Sequence, residues 1–119
     1  MSNYIELNID KLNKSNNESI NLFFKNSHYD KPIFLSYWED ITPYGSVEYI
    51  NCVFFAYNRN SKSFSFIYFE QNYSSDEIKF TNVNELYDGT KKRITKEYKM
   101  TIEEYIELLK LKEKISYFE

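Results

Sequence analysis

Apolar and polar residues alternate with a period of two along most of this chain, and the spacing turns helical in two places. In residues 4–9, YIELNI, Ile5, Leu7 and Ile9 share one side while Tyr4, Glu6 and Asn8 share the other, the pattern of a half-buried strand. Residues 33–39, IFLSYWE, predict a strand that is apolar on parts of both faces. In 47–57, Ile50, Cys52, Phe54 and Ala56 line one face, and Val47, Tyr49, Val53, Phe55 and Tyr57 the other. In 63–70, Phe64, Phe66 and Tyr68 oppose Ser65, Ile67 and Phe69, with the polar loop NRNSK between the two segments. DITPYGS, with Pro43 and Gly45, is turn chemistry. EIKFTNV predicts a further strand near 77–82, and NELYDGT one helical turn stopped by Gly89. KRITKEYKM alternates again, placing Ile94, Tyr98 and Met100 together on a last strand.

The helical stretches carry their own start signals. Ser15 and Glu18 stand at capping-box spacing, and Ile20, Phe23, Phe24 and Ser27 follow at helical intervals, predicting a helix near 16–26. Thr101 and Glu104 form a second capping box. Glu103, Glu104 and Glu107 come early and Lys110, Lys112 and Lys114 late, complementing the helix dipole. Ile102, Tyr105, Ile106 and Leu109 make an apolar stripe, so a helix over 102–116 is expected, with Ile106 and Leu109 against the sheet. The order β-α-β-β-β-β-β-α predicts one α+β domain over 1–119. Its antiparallel sheet has five or six strands, with an N-terminal helix and a C-terminal amphipathic helix packed on it.

Composition changes the picture in one respect. Tyr, Phe, Ile, Asn and Lys are abundant while Gly and Pro number 2 each, a bias toward AT-rich codons. Part of the aromatic excess is therefore mutational, with rings standing where Leu or Val would otherwise fill a core. This bears on residues 47–73, whose rings are expected to be mostly sheet core.

Several chemistries lose support. A single Cys52 excludes an internal disulfide and any multi-Cys zinc site. No basic-then-apolar leader opens the chain, and no apolar run reaches the roughly 20 residues that span a bilayer, so a soluble cytoplasmic protein is expected. Two glycines leave no phosphate-cradling loop. His28 and Asp30 in NSHYDKP fall short of the three or four ligands a metal site needs. Cys52 sits mid-strand between Ile50 and Phe54, a place for an inert thiol. The neighbouring carboxylates Glu39–Asp40, Asp76–Glu77 and Glu103–Glu104 read as solvated surface, since adjacent strand residues point to opposite faces. Lys91, Lys92, Arg93, Lys96 and Lys99 form a basic cluster, but residues 91–119 carry only 8 basic against 6 acidic groups, which disfavours nucleic acid. No catalytic set, metal or cofactor is expected.

Residues 1–90 hold 7 basic and 12 acidic groups, and this surplus gathers around one strand–turn–strand. SYWEDITPYGSVE brings together Trp38, Glu39, Asp40, Tyr44 and Glu48. Trp and Tyr anchor interfaces and carboxylates steer a basic partner, so these five are the candidate partner-binding residues. Small, mildly acidic, aromatic-rich α+β chains of this kind, closing on KEYKMTIEEYIELLKLK, resemble in general character bacterial immunity proteins of the contact-dependent growth inhibition type. The same character is similar to small phage proteins that inhibit host defence enzymes. Either resemblance implies a protein partner, a toxin or a defence enzyme, blocked by one-to-one occlusion. A small-ligand module with a cavity between sheet and helix is the third reading.

Overall fold

The computed structural model describes residues 6–112. They form α1 (Lys14–Lys25), β1 (Tyr29–Ile41), β2 (Val47–Asn58), β3 (Ser63–Asn72), β4 (Glu77–Val83), α2 (Asp88–Tyr98) and α3 (Ile102–Lys112). The class is α+β, and the strands form one antiparallel sheet in the order β1-β2-β3-β4. The chain divides into two compact units, Met1–Asn84 and Glu85–Glu119.

Among the described residues four strands stand where five or six were expected, for two physical reasons. Residues 6–9 form no strand, because backbone groups of Leu7 and Ile9 bond to side chains of α1. The Leu7 N–H donates to Asn21 Oδ1 at 2.7 Å, and Asn21 Nδ2 donates to the Leu7 carbonyl at 2.8 Å. Asn17 does the same for Ile9, at 2.8 and 3.1 Å. Asn17 and Asn21 lie one helical turn apart, as Ile9 and Leu7 lie two strand residues apart, so two amides imitate the rungs of a ladder. Alternation decided which side Leu7 and Ile9 bury and left open what would pair with their backbone. Tyr4 and Ile5 lie outside the described residues.

The second missing strand is α2. Ile94 and Tyr98 are four apart, an interval in phase with both the strand and the helix period. Leu86, Thr90 and Ile94 are buried at that same spacing, and the intervening Lys, Arg and Glu favour a helix. Gly89 falls inside the first turn and stops nothing. Lys99 closes α2 in the left-handed region, with φ at 57°.

The sheet unit is sewn together by its turns. Asn13, rather than Ser15, caps α1, its side chain accepting from the Asn16 N–H at 2.7 Å. In the β1–β2 hairpin Gly45 takes φ +85° and donates to the Thr42 carbonyl at 2.9 Å, a conformation costly for any residue with a Cβ. Asn58 and Asn72 open the next two loops by accepting from backbone N–H groups two residues on.

The helix-facing side of the sheet carries Ile50, Cys52, Phe54, Ala56, Ile67 and Phe69, packed with Ile20 and Phe24 of α1 and with Ile9 and Leu12 before it. Phe24 meets Phe54 edge-on at 5.1 Å. Phe55, Phe64 and Phe66 gather on the opposite side, Phe55 stacking on Phe64 at 4.6 Å. Of the nine rings of 47–73, Phe54, Phe55, Tyr68 and Phe69 are buried, Tyr49, Tyr57, Phe64 and Phe66 are half-buried, and Tyr73 is exposed, so the expectation that most are sheet core holds fully for four of them. Val47 departs from its predicted face. It pairs with Ile41 while Tyr49 pairs with Asp40, so Glu48 is an extra residue that turns Val47 onto the core side.

In the second unit Thr101 and Glu104 form the expected capping box. The Glu104 N–H donates to Thr101 Oγ1 at 3.1 Å, and that hydroxyl donates to Glu104 Oε1 at 3.0 Å. Tyr98 and Tyr105 stack across α2 and α3 at 4.1 Å. Ile102 and Ile106 are buried, while the expected end of this helix at 116 and the side chain of Leu109 lie outside the described residues. Among the described residues no helix is long and apolar enough to cross a membrane.

Candidate functional site

Antiparallel pairing brings the end of β1, the start of β2, the end of β3 and the start of β4 to one edge of the sheet unit. That edge carries Glu39, Asp40, Glu48, Glu70, Asp76 and Glu77, with Lys79 paired opposite Glu70. The other end of the strands carries Lys31, Arg59 and Lys62 with Asp30, which bonds Arg59. The unit is thus acidic at one end and basic at the other, a polarity that neighbouring residues in sequence do not reveal. Exposed apolar side chains lie at the acidic end too: Tyr44 at the hairpin tip is 95 % exposed, Ile41 57 % and Tyr73 44 %.

The five sequence candidates separate here. Tyr44, Glu39 and Glu48 are exposed. Trp38 is half-buried and meets the Tyr68 ring edge-on at 6.2 Å, which makes it a packing residue first. Asp40 accepts from Asn51 Nδ2 at 2.9 Å, on the side of the sheet opposite Glu39. Tyr73, Ile41, Glu70 and Glu77 were missed in the sequence. Only the strand register places them beside the candidates.

Glu39 faces the α1 side with Tyr37. Burial, the Glu39 charge, and the nearby Tyr73 and Cys52 push the Tyr37 hydroxyl up to about 12, and a bond to the Glu39 carboxylate adds to this. Lys11 places its ammonium 5.7 Å from the centre of the Tyr37 ring. Cys52 is fully buried and its thiol is raised to about 12 by that burial, so it is no nucleophile at neutral pH.

The remaining candidates fall elsewhere. His28 is half-buried after α1, tilted on the Tyr29 ring at 4.5 Å. It borders a shallow cleft of about 610 Å³ between α1 and the sheet, lined also by Phe23, Tyr29, Phe80 and Asn82. Among the described residues no group of three His, Cys, Asp or Glu could hold a metal. The basic cluster is helical and not a strand, so Arg93 and Glu97 are one turn apart, Lys92 and Lys96 are one turn apart, and Lys99 lies past the helix end. Lys91 is held by Glu85 at 2.7 Å.

No family model, curated protein or solved structure matches the chain.

Proposed function

We propose that the protein is a small inhibitory binding protein that blocks a basic partner, a bacterial toxin or a defence enzyme, with the acidic end of its sheet. One observation carries the reading: six carboxylates, five on the four strands and Asp76 in the turn before β4, lie at the end of the sheet where Ile41, Tyr44 and Tyr73 are exposed. Exposed rings supply contact area at small entropic cost, and surrounding carboxylates steer a cationic surface toward them. A nuclease partner fits this best, because its substrate site is basic and carboxylates can occupy phosphate positions. Inhibition then needs no chemistry from this chain, only a rigid surface. The short turn around Gly45 and the paired strands beneath it hold the rings in place. A bacterial immunity protein and a phage-encoded inhibitor would act alike here, and the neighbouring genes distinguish them.

The test is co-expression with the product of the adjacent open reading frame, followed by association kinetics on the purified pair. Glu39→Lys with Glu48→Lys should slow association about tenfold or more at low salt and far less at high salt. Asp40 is left in place because Asn51 depends on it. Association unchanged at every salt concentration would move the interface away from this end.

The cleft beside His28 favours the second reading, a small-ligand module, because rings and the amide of Asn82 line it together.

A further inference from the structure

Glu39, Ile50 and Gln71 form one row across β1, β2 and β3, on the face that also carries Tyr37. Gln71 is 8 % exposed, and its Oε1 is buried with no hydrogen-bond partner. Buried acceptors are seldom left unpaired, because they have lost water and gained nothing. Two residues beyond Gln71, Tyr73 is partly exposed and close enough to Tyr37 to act on its hydroxyl. A cation already stands at this corner, the Lys11 ammonium over the Tyr37 ring. A carboxylate, an orphaned amide oxygen and two ring faces together favour a cation that carries several N–H donors.

We propose that this corner receives an arginine side chain of the partner, its guanidinium donating to Glu39 and to Gln71 Oε1 and lying against Tyr37 or Tyr73. The proposal rests on the reading of the acidic end as the interface, and names the group that reads it. Glu39 and Gln71 stand two strands apart, roughly 10 Å at Cα, a gap that two long side chains and a planar fork with donors on both edges can close. An ammonium is a point charge and would serve one acceptor at a time. Lys11 occupies the ring face without meeting Gln71 Oε1, so it acts as a placeholder that the incoming group displaces.

The experiment is an NMR titration of the intact protein with acetyl-arginine amide, with the neutral isostere acetyl-citrulline amide as control. The arginine compound should move the Gln71 side-chain amide and the Tyr37 ring signals, and the citrulline compound should not. Glu39→Gln and Gln71→Met should each weaken binding about fivefold to tenfold, read at the Tyr37 ring. Lys11→Met should tighten it about twofold to fivefold by freeing the ring face. Glu39→Gln is a surface change and keeps the test valid if Gln71→Met does not fold. Equal shifts with both compounds, or shifts scattered over the carboxylates with Gln71 unmoved, would overturn the proposal. Arginine binding at Gln71 without any basic protein partner would uphold the pocket and remove the inhibitor reading. A partner held through Tyr44 and Glu48 that ignores Gln71→Met would do the reverse.

Discussion

Phe23 of α1 and Phe80 of β4 lie face on face, with centroids 3.9 Å apart and planes within 2°. The contact fixes the helix over the last strand, and Phe80 also meets Phe69 at 5.4 Å, passing the contact into the core. Truncating either ring should cost about 2 kcal/mol, below the 3–5 of a fully buried Phe because both are only partly buried. A double-mutant cycle with Phe23→Ala and Phe80→Ala should give a coupling of about 1 kcal/mol from denaturant melts. Strict additivity would mean the two rings do not depend on each other.

The asparagine clip makes a separate prediction. Asn17→Ala with Asn21→Ala removes the partners of both Leu7 backbone groups and of the Ile9 N–H, while the Ile9 carbonyl keeps the Leu12 N–H at 3.0 Å. The helix itself should tolerate Ala well. Hydrogen exchange at the Leu7 and Ile9 amides should rise at least about tenfold, with a loss of about 2 kcal/mol in global stability. Unaltered protection at these two amides would show that packing of Leu7 and Ile9 alone holds the segment.

Stability should fall in alkali, and the sign follows from the raised groups. Cys52 and Tyr37 both titrate near 12 when folded, above their unfolded values of about 8.5 and 10. Each contribution is complete below its unfolded value and is lost as pH rises toward the folded one, because the unfolded chain releases the proton first. Urea melts at pH 8 and pH 10.5 should show the wild type weakening. Cys52→Ala should weaken less between the same two pH values, whatever its own baseline loss. An equal drop in both proteins would remove Cys52 as a titrating buried group. The native thiol should also resist a thiol reagent until the protein unfolds.

Thr101→Ala tests the second unit. It breaks the reciprocal bonds with Glu104 and should cost about 1 kcal/mol of helix stability. The loss should appear as faster exchange at the start of α3 and leave the sheet amides unaffected.

Tyr44 separates binding from folding. At 95 % exposure Tyr44→Ala should shift stability by less than about 0.5 kcal/mol. Under the proposed function it should weaken the partner complex by about tenfold or more, measured on a confirmed pair. A variant that binds as tightly as wild type would take the hairpin tip out of the interface.

What the sequence determined by itself was local and periodic. Alternation marked β2 and β3 and, apart from Val47 at the bulge, their two faces, because a strand repeats every two residues and its core rows were filled with Ile, Val and Phe. The Thr101–Glu104 box was legible because its partners are three residues apart. So was the turn at Gly45, where only glycine is at ease with a positive φ. Where two periods coincide, as at Ile94 and Tyr98, alternation could not choose, and burial of Thr90 and Ile94 one turn apart in the folded chain decided for α2. Segment 6–9 was expected as part of a strand and forms none, because the position of α1 lets amide side chains pair with its backbone. The acidic surplus was visible as a count. Its concentration at one end, the division of Glu39 and Asp40 between two faces, and the placing of Tyr73 and Gln71 beside them came from strand register. Register joins residues tens of positions apart, and no local pattern records it.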